Sequence, residues 1–457
     1  MPRENLFTLL KGNSPQLIAV FFGTLNALSD GMHFGWTAPT IPILQKEGSP
    51  IKVTSSDIMK LEVYYMIFGI VGLPITIFLA DKIGRQKSVL LASSTSLVGW
   101  ILIGIADRVE YFIVARCLVG VAGDVAFVCS PMYVAEIAHQ KIRGFLAGII
   151  YTMVLIGVLV IYVIAPYTSI RIPPLVGGSI IIVQLVVFPF MPESPYYHLF
   201  KNNEIAAKKS LQRLRGNLDV QEELEEISAA IRRQKMEKGR LLDLFIIDSN
   251  RKAIFIMTIL NCIQNMVGFT AILMNFHNIL DEAGATYLDS QVSAIIFASV
   301  MVIASLVAML SVDKFGRRKL YGFSCLFSGL SLLTMAIYYN MKYSGYDVHA
   351  ASWIPLAFLM LFAAFFKFGI GIIPIVMTAE LFPAKVKALG MTAADGIFVA
   401  FASLSVYIYQ TLNESYGLHA SFYLFSSVAF SGLIFNLFML PETKNKTLEE
   451  IQMMLKS

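Results

Sequence analysis

Long apolar stretches alternate with short polar ones along nearly the whole chain. A membrane-spanning helix needs about 20 predominantly apolar residues, and the sequence contains twelve stretches of that kind. They run near 16–38, 58–80, 88–106, 110–136, 143–166, 172–191, 253–276, 289–312, 320–339, 351–379, 388–411 and 418–440. The pattern predicts an all-α polytopic membrane protein with twelve transmembrane helices, six on each side of a polar connection at 200–250.

The composition agrees with a membrane protein. Only 15% of the 457 residues are charged, whereas soluble domains carry about 25%. The cysteines Cys117, Cys129, Cys262 and Cys325 all lie inside apolar stretches, so we expect neither a disulfide framework nor a metal site. The sequence shows no nucleophile–base arrangement and no phosphate-binding loop, and we therefore predict that the protein is not an enzyme and needs no cofactor.

Lysine and arginine are concentrated in the loops on one side of the predicted spans. That side includes the short basic loops 81–87 and 313–319 and the connection 200–250. Because cytoplasmic loops carry an excess of Lys and Arg, these loops and both termini are predicted to be cytoplasmic, in a multi-pass protein of the plasma membrane. The connection is rich in helix-forming residues and predicts short amphipathic helices; a plain tether is the alternative.

Three polar motifs occur twice, in the same order. They are "DKIGRQK" and "DKFGRRK", "PMYVAEIAHQKIRG" and "PIVMTAELFPAKVKALG", and "PESP" and "PETK". The second copies follow after 232, 244 and 249 residues, measured from Asp81 to Asp313, Glu136 to Glu380 and Pro192 to Pro441. This spacing predicts a duplicated six-helix half, with an N-terminal bundle at 1–199, cytoplasmic helices at 200–250 and a C-terminal bundle at 251–457. Two such halves are a transporter arrangement, with the substrate site near the midplane.

The motifs resemble those of the sugar porters of the major facilitator superfamily. The family patterns are D-x-x-G-R in both halves, P-x-Y-x-x-E-x(6)-R-G after span 4, and PESP and PETK after spans 6 and 12. Span 1 is most similar to insect facilitated trehalose and hexose transporters. The resemblance implies two pseudo-symmetric six-helix bundles that carry a neutral sugar by alternating access. We expect the sugar and the lipid bilayer as partners, no nucleic acid, and a monomer.

The charged residues of the repeated motifs are predicted to meet at the cytoplasmic rim. Guanidinium groups bind planar carboxylates with two parallel hydrogen bonds, and the resemblance implies ion pairs that join the two halves and hold the cytoplasmic side shut. A role in membrane topology alone is the alternative. The predicted gate residues are Asp81, Arg85, Glu136, Arg143, Glu193, Asp313, Arg317, Arg318, Glu380, Lys387 and Glu442.

The resemblance also implies a sugar site on spans 5, 7, 8 and 10. Span 7 reads "CIQNMVGFTAILMN", and only Gln264 is unchanged among the expected sugar ligands. The predicted substrate-binding residues are Gln264, Asn265, Thr270, Asn275, Tyr151 and Lys367. Gln264, Gly268, Ala271 and Asn275 would share one face of a continuous helix; a hydrogen-bonded seam between helices is the alternative. In span 10, Gly369, Gly371 and Pro374 permit a break.

Several charges lie deep inside the predicted spans. Asp30, Asp124 and Lys367 are expected at roughly 18–21 Å above the rim, at about 1.5 Å per residue. Each would cost about 2.5–3.5 kcal/mol if it faced lipid, so we expect a cavity or an ion pair, with Lys367 bound to Asp124 or Asp30. Facilitated transport is the leading hypothesis. The alternatives are proton-coupled symport, with Asp30 or Asp124 near Arg116 as the proton carrier, and a non-transporting sugar sensor.

Overall fold

The computed structural model describes residues 14–46, 48–49, 51–139, 142–216, 219–236, 242–284, 288–382, 386–444, 446 and 448–456. In these ranges every long element is an α-helix. The helices are α1 (Ser14–Gly23), α2 (Leu25–Gly35), α3 (Thr37–Gln45), α4 (Ser55–Lys82), α5 (Arg85–Ile105), α6 (Val109–Ile137), α7 (Arg143–Ile164), α8 (Ile172–Val187), α9 (Pro195–Phe200), α10 (Glu204–Leu214), α11 (Gln221–Met236), α12 (Asp243–Ile246), α13 (Asp248–Met266), α14 (Phe269–Met274), α15 (Phe276–Ala283), α16 (Ser290–Phe315), α17 (Arg317–Tyr343), α18 (Ile354–Phe368), α19 (Ile373–Leu381), α20 (Lys387–Tyr416), α21 (Leu418–Phe438) and α22 (Leu448–Lys456).

The predicted spans correspond to these helices. Within the described ranges, eleven segments are long and apolar enough to cross a membrane. The first predicted span is not among them, because it is divided at Thr24 and Trp36 into α1, α2 and α3 of 10, 11 and 9 residues. It also continues to Gln45, beyond the predicted end near residue 38. With this divided span, the fold is the predicted twelve-helix arrangement.

The connection between the sixth and seventh spans contains the predicted short helices, α9 to α12. Apolar side chains of α10 and α11 form a small core that includes Ala207, Leu211, Leu224 and Ile227. The Arg215 guanidinium pairs with Glu223 at 2.6 Å and donates to the carbonyl of Ile137 at 3.0 Å. Because Ile137 ends α6, the helices α10 and α11 are attached to a span, and a plain tether is the wrong interpretation.

The chain divides into two compact units. The first contains the described parts of Met1–Phe34, Phe68–Val160 and Thr168–Lys238. The second contains the described parts of Gly35–Ile67, Ile161–Tyr167 and Gly239–Ser457. Two segments of the first sequence half therefore pack within the second unit. The predicted domain limits at 199 and 250 refer to the repeat along the chain, and they stay a prediction.

Spans 7 and 10, both in the second unit, are interrupted. Span 7 divides at Gly268, which has a φ of +84° and lies against the ring of Phe425, and again at Asn275. Span 10 divides between α18 and α19. There the hydroxyl of Ser324 donates to Phe365 O at 2.7 Å and accepts from Ile370 N at 2.9 Å. A side chain from span 9 thus replaces helical hydrogen bonds lost at the break, as a break inside a membrane requires. The predicted break in span 10 is confirmed.

Candidate functional site

An ion pair joins spans 3 and 4 at the basic loop of the first unit. Arg85, the first residue of α5, contacts Glu136 Oε1 through Nη2 at 3.0 Å and through Nε at 3.1 Å. The other carboxylate oxygen of Glu136 accepts a hydrogen bond from the hydroxyl of Ser194. Arg85 Nη1 also donates to Ala80 O at 3.1 Å. The guanidinium therefore binds the end of span 2 and the carboxylate of span 4 together.

Glu193, in the "PESP" motif, caps the N-terminus of α5. Both of its carboxylate oxygens accept a hydrogen bond from the backbone N–H of Gln86 at 3.1 Å. The first N–H groups of a helix have no partner inside it, and the positive end of the helix dipole favours an anion there. Burial raises the pKa of Glu193 above its ordinary value, and the hydrogen bonds from the backbone of Ser194 and Gln86 offset part of this rise. We call Arg85, Glu136, Glu193 and Ser194 the first rim junction.

The second unit contains the same arrangement. Arg317 Nη2 contacts Glu380 Oε1 at 2.8 Å, and the Thr443 hydroxyl donates to Glu380 Oε2 at 2.5 Å. Glu442 accepts from Arg317 N at 3.0 Å and from Arg318 N at 3.1 Å. We call Arg317, Glu380, Glu442 and Thr443 the second rim junction. The two junctions match residue for residue, as a duplicated half requires.

The predicted gate residues thus fall into two groups, each inside one unit. The first junction brings together Arg85, Glu136 and Glu193. The second brings together Arg317, Glu380 and Glu442. The Arg318 side chain donates to the backbone carbonyl of Asn436 at 3.2 Å. Asp81 is exposed, and the side chains of Arg143, Asp313 and Lys387 lie outside the described part of the chain. Ion pairs that link the two halves stay a prediction.

Ser194 and Thr443 belong to the rim junctions but are not among the predicted gate residues. Each follows the glutamate of its motif and holds the carboxylate of span 4 or span 10. The signal was their equal position in "PESP" and "PETK", where both copies carry a hydroxyl.

We expect Gly316→Ala to destabilise the protein, because Gly316 has φ +88° and ψ +158°, a region that only glycine adopts without strain. A Cβ there would lie 2.7 Å from Glu442 Oε2. The expected loss is about 1–3 kcal/mol of unfolding free energy, measured as a lower thermal unfolding midpoint in detergent. Gly104→Ala is the control, since a Cβ at this helical position meets Pro174 at an ordinary 3.5 Å. Equal midpoints for the two variants would contradict the strain argument.

The predicted sugar ligands of span 7 lie beside the break in span 10. Gln264 is buried, and its Nε2 donates to Gly371 O at 3.2 Å. Asn265 Nδ2 donates to Asn261 O in its own helix at 3.0 Å, and Thr270 is buried in α14. The Gln264 amide therefore reaches the interrupted backbone of span 10 and binds it through Gly371 O.

Lys367 belongs to the same region. Its ammonium lies 4.4 Å from the ring centroid of Phe269, and that ring stacks on Phe366 with centroids 4.4 Å apart. A cation above an aromatic face is stabilised by about 0.5–2 kcal/mol, most when water is excluded. The described contacts of Lys367 within its unit are thus aromatic. Its predicted pairing with Asp124 or Asp30, which belong to the other unit, stays a prediction.

The predicted continuous face of span 7 is wrong. Because the span is interrupted at Gly268 and Asn275, its polar residues do not follow a single helix. Gln264 bonds the backbone of span 10, whereas Asn275 bonds side chains of spans 2 and 11. Tyr151, the remaining predicted ligand, is half-buried in the first unit.

The deep charges of the first unit are buried among polar neighbours. Asp124 accepts a hydrogen bond from the hydroxyl of Thr76 at 2.9 Å, and Asp30 lies against Gly123. Arg116 Nη1 donates to the backbone carbonyl of His33 at 2.5 Å. These contacts tie spans 1, 2 and 4 together, and they agree with the expectation that such charges face the protein interior.

The fold, the duplicated junctions and the interrupted spans define a class of protein. They are those of a twelve-helix membrane transporter of the major facilitator type. A family model described as "Sugar (and other) transporter" matches residues 44–455. The chain belongs to this sugar transporter family.

The chain is also similar to individual sugar transporters, both in sequence and in structure. The chain is 26% identical to the facilitated trehalose transporter Tret1 of Bombyx mori, over 97% of this chain and 87% of that protein. It is 28% identical to Tret1 of Anopheles gambiae, over 96% of this chain but only 55% of that protein. The structure of the proton:xylose symporter XylE of E. coli matches with a TM-score of 0.75 and 22% identity, over 97% of this chain and 100% of the other. The predicted resemblance is confirmed.

Proposed function

We propose that the protein carries a neutral sugar, trehalose or a hexose, across the plasma membrane by alternating access and without proton coupling. Family membership and the names of the insect relatives support the substrate class. The single observation that carries the site is the meeting of the interrupted spans 7 and 10. Interrupted spans mark substrate sites in transporters, and the buried amide of Gln264 lies there against Gly371 O.

The chemistry of this region suits a sugar. Ligand sites are mostly apolar and hold a few well-placed polar groups. The amide of Gln264 supplies a neutral donor and acceptor for hydroxyl groups, and the stacked rings of Phe269 and Phe366 supply apolar surroundings. The Lys367 side chain lies beside them. The predicted pairing of Lys367 with Asp124 or Asp30 would make that carboxylate less available as a proton carrier, which supports facilitation over proton symport.

Proton-coupled symport is the second candidate. It is favoured by the buried carboxylates Asp30 and Asp124, and XylE is described as a proton:xylose symporter. A non-transporting sugar sensor is a third reading of the same fold. All three hypotheses share the sugar site and differ in whether movement occurs and whether a proton accompanies it.

Uptake in liposomes separates the three hypotheses. Purified protein is reconstituted, and uptake of labelled trehalose, glucose, fructose and xylose is measured with and without an inward proton gradient. Facilitation predicts uptake that stops when the inner and outer concentrations are equal under both conditions. Accumulation driven by a proton gradient alone would establish symport, and saturable binding without uptake would establish a sensor.

The location and sidedness belong to the same proposal. The basic loops, including 81–87 and 313–319, support cytoplasmic termini and a cytoplasmic position for α9 to α12. We expect a monomer in the membrane. An epitope tag inserted near residue 230 and reached by antibody outside intact cells would overturn the sidedness.

A further inference from the structure

A buried carboxylate in span 2 has no role in the site described so far. Glu62 is the eighth residue of α4 and is fully buried. Its Oε2 accepts hydrogen bonds from Gln410 Nε2 at 2.7 Å and from Asn275 Nδ2 at 3.2 Å. Gln410 Nε2 also lies 3.4 Å from Asn275 Oδ1, which closes the triangle. We call Glu62, Asn275 and Gln410 the outer lock; all three belong to the second unit.

The outer lock lies far from the rim junctions along the chain. Glu62 precedes Lys82, where α4 ends, by 20 residues, which is about 30 Å of helix. Gln410 lies near the far end of α20, which begins at Lys387. Since the basic loops are predicted to be cytoplasmic, the outer lock lies at the extracellular end of these spans.

Two further hydrogen bonds reach the same turn of span 7. The hydroxyl of Tyr162 donates to Leu273 O at 2.5 Å, and the hydroxyl of Thr37 donates to Met274 O at 3.3 Å. These carbonyls belong to the last turn of α14, where a helix end leaves acceptors without partners in the helix. Three successive residues of span 7 are thus bound by side chains of spans 5, 1 and 2.

The partners come from different halves of the repeat. Thr37, Glu62 and Tyr162 precede residue 200, whereas the residues they bind follow residue 250. Sequence segments from both halves are therefore fastened together within one unit, at the part of span 7 that the first break, at Gly268, separates from Gln264. Of the three contacts, the one to Glu62 has two side-chain donors on a carboxylate oxygen. Hydrogen bonds to an ionised acceptor are about twice as strong as those between neutral groups.

We propose that Glu62 holds the extracellular side of the transport path closed by binding Asn275 and Gln410, and that both hydrogen bonds break each time this side opens. The inference rests on alternating access in the proposed function. A cavity of about 150 Å³ already borders the outer lock, lined by Asn275, Gln410, Tyr409 and Asn413. When the helices part, water entering from this cavity hydrates the carboxylate, so that opening does not leave an unpaired charge in a dry site.

The test changes the charge of the outer lock and then restores it. Gln410→Glu places a second carboxylate against Glu62, so the two side chains repel each other and the donor is lost. The double variant Glu62→Gln with Gln410→Glu rebuilds an acid–amide pair with the roles exchanged. Asn275→Asp makes the same change at the second donor and serves if Gln410→Glu fails to fold.

Opening is measured at Ala271, which is fully buried one turn before Asn275. The substitution Ala271→Cys is added to each variant, and the rate of labelling by a membrane-impermeant maleimide outside is compared. The chain without Ala271→Cys gives the background from Cys117, Cys129, Cys262 and Cys325. Glu414→Gln is the matched control, because Glu414 is an exposed acid at the same cavity and outside the outer lock.

We expect Gln410→Glu to raise the labelling rate about tenfold, in keeping with the loss of a charge-assisted hydrogen bond. The double variant should return close to the parent rate, and Glu414→Gln should leave it unchanged. Equal rates in parent and Gln410→Glu, or no recovery in the double variant, would overturn the role of Glu62. The assay needs no sugar, so a wrong substrate assignment would appear only in the uptake measurements.

Discussion

Arg317→Ala should strongly destabilise the second unit. The change leaves Glu380, whose side chain is only 23% exposed, with the hydroxyl of Thr443 as its remaining described partner in the second rim junction. We expect a loss of about 2–3 kcal/mol of unfolding free energy, in the range for a hydrogen bond to a charged group and below that for breaking a fully buried ion pair. The thermal unfolding midpoint of the purified protein in detergent measures this loss, and uptake should fall with it.

Two variants make this prediction specific. Arg85→Ala should cost about as much, because Arg85 pairs with Glu136 in the first rim junction as Arg317 pairs with Glu380 in the second. Arg318→Ala is the control, since among the described residues this exposed side chain bonds only backbone carbonyls at the end of span 12. If Arg317→Ala instead left the unfolding midpoint unchanged and altered cysteine accessibility on the two sides, Arg317 would act as a link between the halves, as the sequence analysis predicts.

Gln264→Ala should weaken the apparent affinity for the transported sugar by about tenfold or more. A buried hydrogen-bonding group of the ligand left without its partner costs about 1–3 kcal/mol, and Gln264 is the buried amide that lies at the meeting of spans 7 and 10. The half-saturation constant of uptake in liposomes measures the effect for each sugar.

Asn265→Ala provides the comparison for this second variant. The Asn265 amide bonds a carbonyl of its own helix, so its removal should change the half-saturation constant much less. The Gln264 variant also loses its bond to Gly371, and the thermal unfolding midpoint shows how much of the effect is structural. An unaltered half-saturation constant for every transported sugar would place the site elsewhere.

The sequence predicts the spans and the rim residues well because both depend on local pattern. A run of apolar residues identifies a span wherever it packs, and "DKIGRQK" and "DKFGRRK" place Arg85 and Arg317 at helix starts without knowledge of their neighbours. The role of Glu193 does not follow from a local pattern. Its role as a cap depends on the chain after span 6 returning to the start of span 3, a contact across 107 residues.

The errors in the candidate site have a similar cause. The interruption of span 7 at Asn275 lies within a stretch whose composition is that of a continuous helix. The prediction of one shared face assumes an unbroken helix and therefore fails. Glu62 is not among the predicted site residues, although a carboxylate inside an apolar span is a recognised functional signal. Its position near the start of span 2 is also compatible with the adjoining loop, and only the folded structure shows that Glu62 is buried and bound by Asn275 and Gln410.

The duplicated rim junctions have a consequence for how such a transporter changes over evolutionary time. The described contacts of each junction lie inside its own unit, and none of the junction residues belongs to the predicted sugar site. Mutations that exchange one sugar-contacting side chain for another therefore leave the helix connections intact. The residues that hold the helices together are thus separate from those predicted to bind the sugar. A lineage can therefore change the sugar that its transporter accepts while the rim junctions stay the same.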